Sequence, residues 1–189
     1  ADLEWCDVII PLACLVGFPL CRDRPQEAVE VNFEINKWIA ENKRDEQILI
    51  YPCTNSGYGV SDNGSVCTEE SPLNPVSLYG KTNYVHIWDI CRVFEFIIEN
   101  WDRCKNQTFN VGNDSINMNK LQLAQKIQEH IPVEIIKAEF TSDPDKRDYI
   151  VSSQKIYDLG FECKYDLDDG IRQLITMYKL LDEPWYANY

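Results

Sequence analysis

The sequence predicts an α/β fold with a parallel sheet, on three observations. Two short apolar runs, Val8 to Leu12 and Ile48 to Tyr51, read as strands. Between them, Ala28, Val31, Ile35, Trp38 and Ile39 recur at helical spacing, which predicts a helix over 25–42. Strand and helix signals then keep alternating towards the carboxy-terminal end.

The later elements follow in order. Asp89 can cap a helix carrying Ile90, Val93, Phe94, Ile97 and Ile98. Thr108 to Val111 reads as a short strand ending at Gly112. A helix over 119–131 places Leu123, Ala124, Ile127 and Ile131 on one face, and Pro132 stops it. Val133 to Lys137 reads as another strand. Asp168 and Asp169 favour the start of a last helix, with Ile171, Leu174, Ile175 and Tyr178 as its packing face. Asn32 lies on the face of the first helix, where a buried amide must find partners, so it reads as a residue that ties a loop down.

Composition bounds the function. The chain has 189 residues, 44% hydrophobic and 12% aromatic, enough for one sizeable domain or two small ones. A net charge of -13 argues against a general nucleic-acid or membrane-surface role, because those partners are polyanions that attract basic patches. No run approaches the roughly 18 apolar residues of a membrane span, and 1–7 lack a signal-peptide layout. The eight cysteines form no CxxC pair and have no histidine cluster beside them, so no metal site is expected. Cys6, Cys14, Cys53 and Cys91 sit in apolar patterns, where reduced cysteine behaves as a small hydrophobe, and the expected setting is the cytoplasm.

The chemistry concentrates in Tyr51-Pro-Cys-Thr-Asn-Ser-Gly-Tyr-Gly59 and Ser71-Pro-Leu-Asn-Pro-Val-Ser-Leu-Tyr-Gly-Lys-Thr82. These set a strand-end hydroxyl, Thr54, ahead of a helix-borne phenol, Tyr79. A phenol titrates near ~10, so it removes a proton at neutral pH only where positive charge and hydrogen bonds favour its ionised form. A lysine four residues on would supply the charge, but that position is Asn83. Lys81, two residues on, points about 200° away around a helix.

At these residues the sequence resembles the extended short-chain dehydrogenase/reductases, a family of NAD-dependent sugar-nucleotide epimerases, dehydratases and reductases. Thr54 followed by Tyr58-Gly59, the acidic loop from Cys67 to Pro75, and Tyr79 match its active-site order. Val8-Ile-Ile-Pro-Leu-Ala-Cys-Leu-Val-Gly17 is similar to its fourth strand. The wording is most similar to the GDP-manno-heptose 4-dehydrogenase-like branch, in the IIPLA and TNSGYG stretches and in Asp143-Pro-Asp-Lys-Arg-Asp-Tyr149.

The resemblance implies a Rossmann-like doubly wound parallel sheet with a smaller carboxy-terminal α/β substrate lobe. Residues 1–82 would be part of the NAD-binding domain and 83–189 mainly the lobe, with some packing returning to the first domain. It implies Tyr79 as base and Thr54 as hydroxyl positioner. Leu12, Ala13, Cys14, Asn32 and Tyr79 would face NAD, with NADP also possible. Asn55, Ser56 and Arg147 would meet a GDP- or UDP-linked sugar, Arg147 by clamping the diphosphate with its guanidinium fork. A homodimer is the family's usual state. Dehydratases carry Asp-Glu directly after the Thr; here Asn55 and Ser56 stand there, which leaves oxidation, ketosugar reduction or epimerisation at the sugar C4.

Two family segments have no counterpart: the GxxGxxG turn that holds a pyrophosphate, and the stretch after Thr82 that would complete YxxxK. Two strands alone leave sheet edges exposed. The chain therefore reads as parts of a larger enzyme meeting at Thr82 and Asn83, with their Cα atoms farther apart than the ~3.8 Å of a trans peptide. A noncatalytic sugar-nucleotide-binding or assembly subunit is the alternative, since it would account for Asn83 and the missing glycines.

Overall fold

The computed structural model describes residues 3–59, 65–73, 84–136 and 150–181. The junction at Thr82 and Asn83 lies outside them. The chain forms two compact units, one within Ala1–Thr82 and one within Asn83–Pro144 and Ile150–Tyr189.

In the first unit, β1 (Val8–Ile9) runs parallel to β2 (Ile48–Leu49), with Val8 opposite Ile48 and Ile9 opposite Leu49. The ladder is prolonged by Ile48 N donating to Asp7 O at 2.9 Å and Ile50 N donating to Ile9 O at 3.0 Å. Each strand is shorter than its apolar run, because Pro11 and Pro52 lack the N–H that a longer ladder needs. The buried Gln47 fixes the start of β2. Its Nε2 donates to Leu3 O and to Cys6 O at 2.6 Å, while the Arg44 guanidinium donates to Glu4 O at 2.9 Å.

Gly17 adopts a φ of 93°, open to glycine at no steric cost, and starts α1 (Phe18–Asp23), which the apolar pattern did not announce. Next come α2 (Pro25–Val29), a π turn (Glu30–Glu34) and α3 (Ile35–Asn42). In the π turn Ile35 N donates five residues back to Glu30 O. The extra residue shifts the helix face. Ala28 is buried and Val31, Asn32, Asn36 and Ile39 are half-buried, whereas Ile35 and Trp38, expected on the packing stripe, stand 48% and 44% exposed.

The second unit contains α4 (Ile87–Glu99), α5 (Trp101–Cys104), α6 (Lys120–Gln128), α7 (Gln154–Tyr157) and α8 (Leu167–Leu180). Its core is Val93, Ile156 and Phe161, flanked by Phe96, Ile97, Phe109 and Val111. Phe96 meets Phe161 edge-on with centroids 5.6 Å apart. His86, not Asp89, caps α4, its ring accepting from Trp88 N. Asp89 is fully buried in the first turn of that helix. It accepts from Lys164 N at 3.0 Å, Tyr165 N at 3.1 Å and the Arg92 guanidinium at 2.6 Å, which docks 164–165 on α4.

Thr108 to Val111 carries no strand ladder, and Lys155 Nζ donates to Thr108 O at 2.9 Å. The described part of the expected strand after Pro132 is likewise not a strand, and Ile136 is 79% exposed. Capping boxes start α6, through Asn119 and Gln122, and α8, through Asp166 and Asp169. On α8 only Ile171 is buried, and Leu174 and Tyr178 are exposed rather than packed. No described helix is long and apolar enough to cross a membrane.

Candidate functional site

Parallel pairing makes both strands of the first unit end on one edge, the position where open α/β sheets hold ligands. From β1 the chain passes through Leu12, Ala13 and Cys14, all exposed. From β2 it passes through Tyr51, Cys53 and Thr54, also exposed. Cys14 and Cys53, and Cys91 on α4, are exposed, which corrects the expectation that they sit inside apolar patterns. Cys14 and Cys53 each lie beyond the proline that ends the ladder.

Asn32 joins the two strand exits. Its Oδ1 accepts from Leu15 N at 2.8 Å and its Nδ2 donates to Leu15 O at 3.0 Å, so the loop after β1 is held by both backbone groups of one residue. Its own carbonyl accepts from Asn36 Nδ2 at 3.0 Å and from the Tyr51 hydroxyl at 3.4 Å, which brings in the exit of β2. The loop-tying role read for Asn32 is thus a physical one, and the π turn that presents it is not visible in helical periodicity. Burial, with Cys53 and Cys14 nearby, pushes the Tyr51 phenol above its ordinary value. Neither Tyr51 nor Asn36 was singled out from the sequence. Tyr51 meets Asn32 from 19 positions along the chain, and Asn36 meets it from one helical turn away.

Thr54 O accepts from Gly57 N at 3.4 Å and opens a 3₁₀ turn, Asn55–Tyr58. Tyr58 is buried at its end, and Gly59 takes a φ of 71°. A Cβ at position 57 would lie 3.1 Å from Leu73 Cδ2, so that side chain would have to give by a few tenths of an ångström. The turn fixes the backbone around Thr54 and half-buries Asn55. The side chain of Ser56, and all of Tyr79, Lys81 and Arg147, lie outside the described residues.

Leu12 and Ala13 follow β1 and Thr54 follows β2, and Asn32 pins the loop after β1 at Leu15. The glycine-rich turn for a pyrophosphate is not among the 189 residues.

No family model matches the chain. Over 104 residues, 54% of the chain, it is 29% identical to a dihydroflavonol 4-reductase of Callistephus chinensis. Over 102 residues, also 54% of the chain, it is 24% identical to an anthocyanidin reductase, (2S)-flavan-3-ol-forming, of Vitis vinifera. The matched stretch spans 28% and 29% of those relatives' own length. Both are extended short-chain dehydrogenase/reductases, the group that the motifs resemble. Similarity to them supports a Rossmann-like α/β fold.

Proposed function

We propose that the chain is part of an NAD(P)-dependent oxidoreductase or epimerase acting at the C4 carbinol of a GDP- or UDP-linked sugar. The observation that carries this reading is the convergence of the β1 and β2 exits on Asn32, with Leu12 to Cys14 and Thr54 on one edge. The dinucleotide supplies a hydride acceptor or donor. The chain's own residues handle the proton. Hydride leaves a carbon readily only as its hydroxyl loses a proton, so Tyr79 removes that proton and Thr54 orients the oxygen. Asn32 keeps the Leu12 to Leu15 wall in place. Asn55 and Ser56 meet the sugar, and Arg147 donates two parallel bonds to the diphosphate. Residues 1–82 serve the cofactor and 83–189 mainly the substrate, in a cytoplasmic homodimer.

Similarity to the two flavonoid reductases favours a second reading, reduction of a small aromatic ketone on the same edge. Nicotinamide absorbance with the intact protein separates the two. Turnover of 4-keto GDP- or UDP-sugars over a dihydroflavonol, by tenfold or more in kcat/KM, supports the first reading, and the reverse order supports the second. Sugar-nucleotide binding without turnover of either class identifies a noncatalytic subunit.

A further inference from the structure

His86 meets three parts of the second unit with one half-buried ring. Its Nδ1 accepts from Trp88 N at 3.1 Å, which is the cap of α4. Its Nε2 lies 3.0 Å from Gln173 Oε1 on α8. Its plane stacks on Tyr165, with centroids 4.5 Å apart and an angle of 21° between the rings. Gly170 closes the α8 side, where a Cβ would lie 3.5 Å from His86 Cδ2. A backbone N–H only donates, so Nδ1 must keep its lone pair, and a carboxamide oxygen only accepts, so Nε2 must carry the proton. The two bonds together select one neutral tautomer.

We propose that His86 is a pH-sensitive clasp, which caps α4 and holds α8 while neutral and releases the α4 cap when protonated. The usual capping residues, serine, threonine, asparagine and aspartate, keep their acceptors near neutral pH, whereas histidine ordinarily changes charge between about pH 5 and 8. A protonated ring has an N–H at both nitrogens. The bond to Gln173 survives, because Nε2 donates in either form. The cap does not, because Nδ1–H would point at Trp88 N–H, and the added charge would sit where the first-turn amides already carry partial positive charge. The charged groups around the ring are engaged elsewhere. Asp89, one turn into α4, accepts from Arg92, Lys164 N and Tyr165 N. Beside Tyr165 stand Lys164 and Asp166, and Asp166 takes part in the capping box of α8. On α8, Asp169 pairs with Arg172 at 2.7 Å, and Asp168 pairs with Lys126 and His130.

The clasp does not rest on the proposed catalysis. Nitrogen-15 NMR of the intact protein tests it, with the His86 ring assigned by the loss of its signals in His86→Asn. At neutral pH the ring should carry its proton on Nε2 and none on Nδ1. As pH falls, protection of the Trp88 amide from exchange should drop about fivefold, in step with the His86 ring resonances. The Phe96 amide, deeper in α4, should stay protected over that range. His86→Asn keeps a capping acceptor that does not titrate, so Trp88 protection in it should hold constant. A proton on Nδ1 at neutral pH overturns the proposal. So does Trp88 protection that is unchanged across the ring's titration, that falls together with Phe96, or that falls equally in His86→Asn. Turnover of a sugar nucleotide, or its absence, bears on the catalytic reading alone.

Discussion

Asn32 grips Leu15 by both of its backbone groups, accepting from the amide at 2.8 Å and donating to the carbonyl at 3.0 Å. A side-chain amide can stand in for a strand neighbour in this way because it carries one acceptor and two donors. Replacing Asn32 by Leu leaves both Leu15 groups without these partners, at a cost of about 1–3 kcal/mol. Hydrogen exchange checks it: the Leu15 amide should exchange at least about tenfold faster in Asn32→Leu, with the amides of α3 little changed. Uniform acceleration over both would show that the contact acts on global stability instead.

Ile156 and Leu174 make a paired prediction. Ile156 is fully buried in the core of the second unit, and Leu174 is 53% exposed on α8. Ile156→Ala should cost about 2–5 kcal/mol. Leu174→Ala should stay within about 0.5 kcal/mol, although its position in the helical pattern is that of a packing residue. Urea unfolding of both variants measures the difference.

Tyr157 sets the response to alkali. Its hydroxyl donates to Gly112 O at 2.6 Å, and burial, with Cys163 nearby, pushes its pKa up to about 12. The folded state holds this proton more tightly than the unfolded chain, whose tyrosine titrates near ~10. The stabilisation is therefore complete below about 10 and is lost as pH rises through about 12. Tyr157→Phe should remove this part of the alkaline fall in Tm, and ultraviolet titration should show one tyrosinate fewer appearing late.

Asp168 sets part of the response to acid. His130 and then Lys126, both on its carboxylate, hold its pKa below the usual 3.8. A depressed folded value stabilises above the unfolded one and is lost as pH falls through the folded one, so the loss lies at and below 3.8. Asp168→Asn should flatten the fall in Tm as pH drops through 3.8 and below, without changing the alkaline side.

The local grammar of the chain was legible where a pattern is short-range. Helix positions came from apolar spacing, and the acidic start of α8 came from Asp168 and Asp169. The face of the helix after Pro25 did not. The π turn at Glu30–Glu34 rotates it, and the bonds from Leu15 and Tyr51 that accompany that turn come from residues 17 and 19 positions away. The strands at 8–12 and 48–51 were legible as apolar runs but not in length, which the prolines at 11 and 52 set, whereas Thr108 to Val111 read as a strand and forms none. His86 took the cap expected of Asp89, because the aspartate is drawn inwards by the amides of Lys164 and Tyr165. At the candidate site, Thr54, Asn32 and the Leu12 to Cys14 stretch could be named in advance because they lie in compact motifs. Tyr51 meets Asn32 across 19 positions of the chain, which no local pattern announces.

The most direct measurement is the single-turnover rate of nicotinamide absorbance change with a 4-keto sugar nucleotide, for the intact protein and for Thr54→Val and Tyr79→Phe. The account predicts a rate at least about 10²-fold lower in each variant, with dinucleotide affinity kept within about threefold, because both residues act on the substrate oxygen. Equal rates in all three proteins would contradict it.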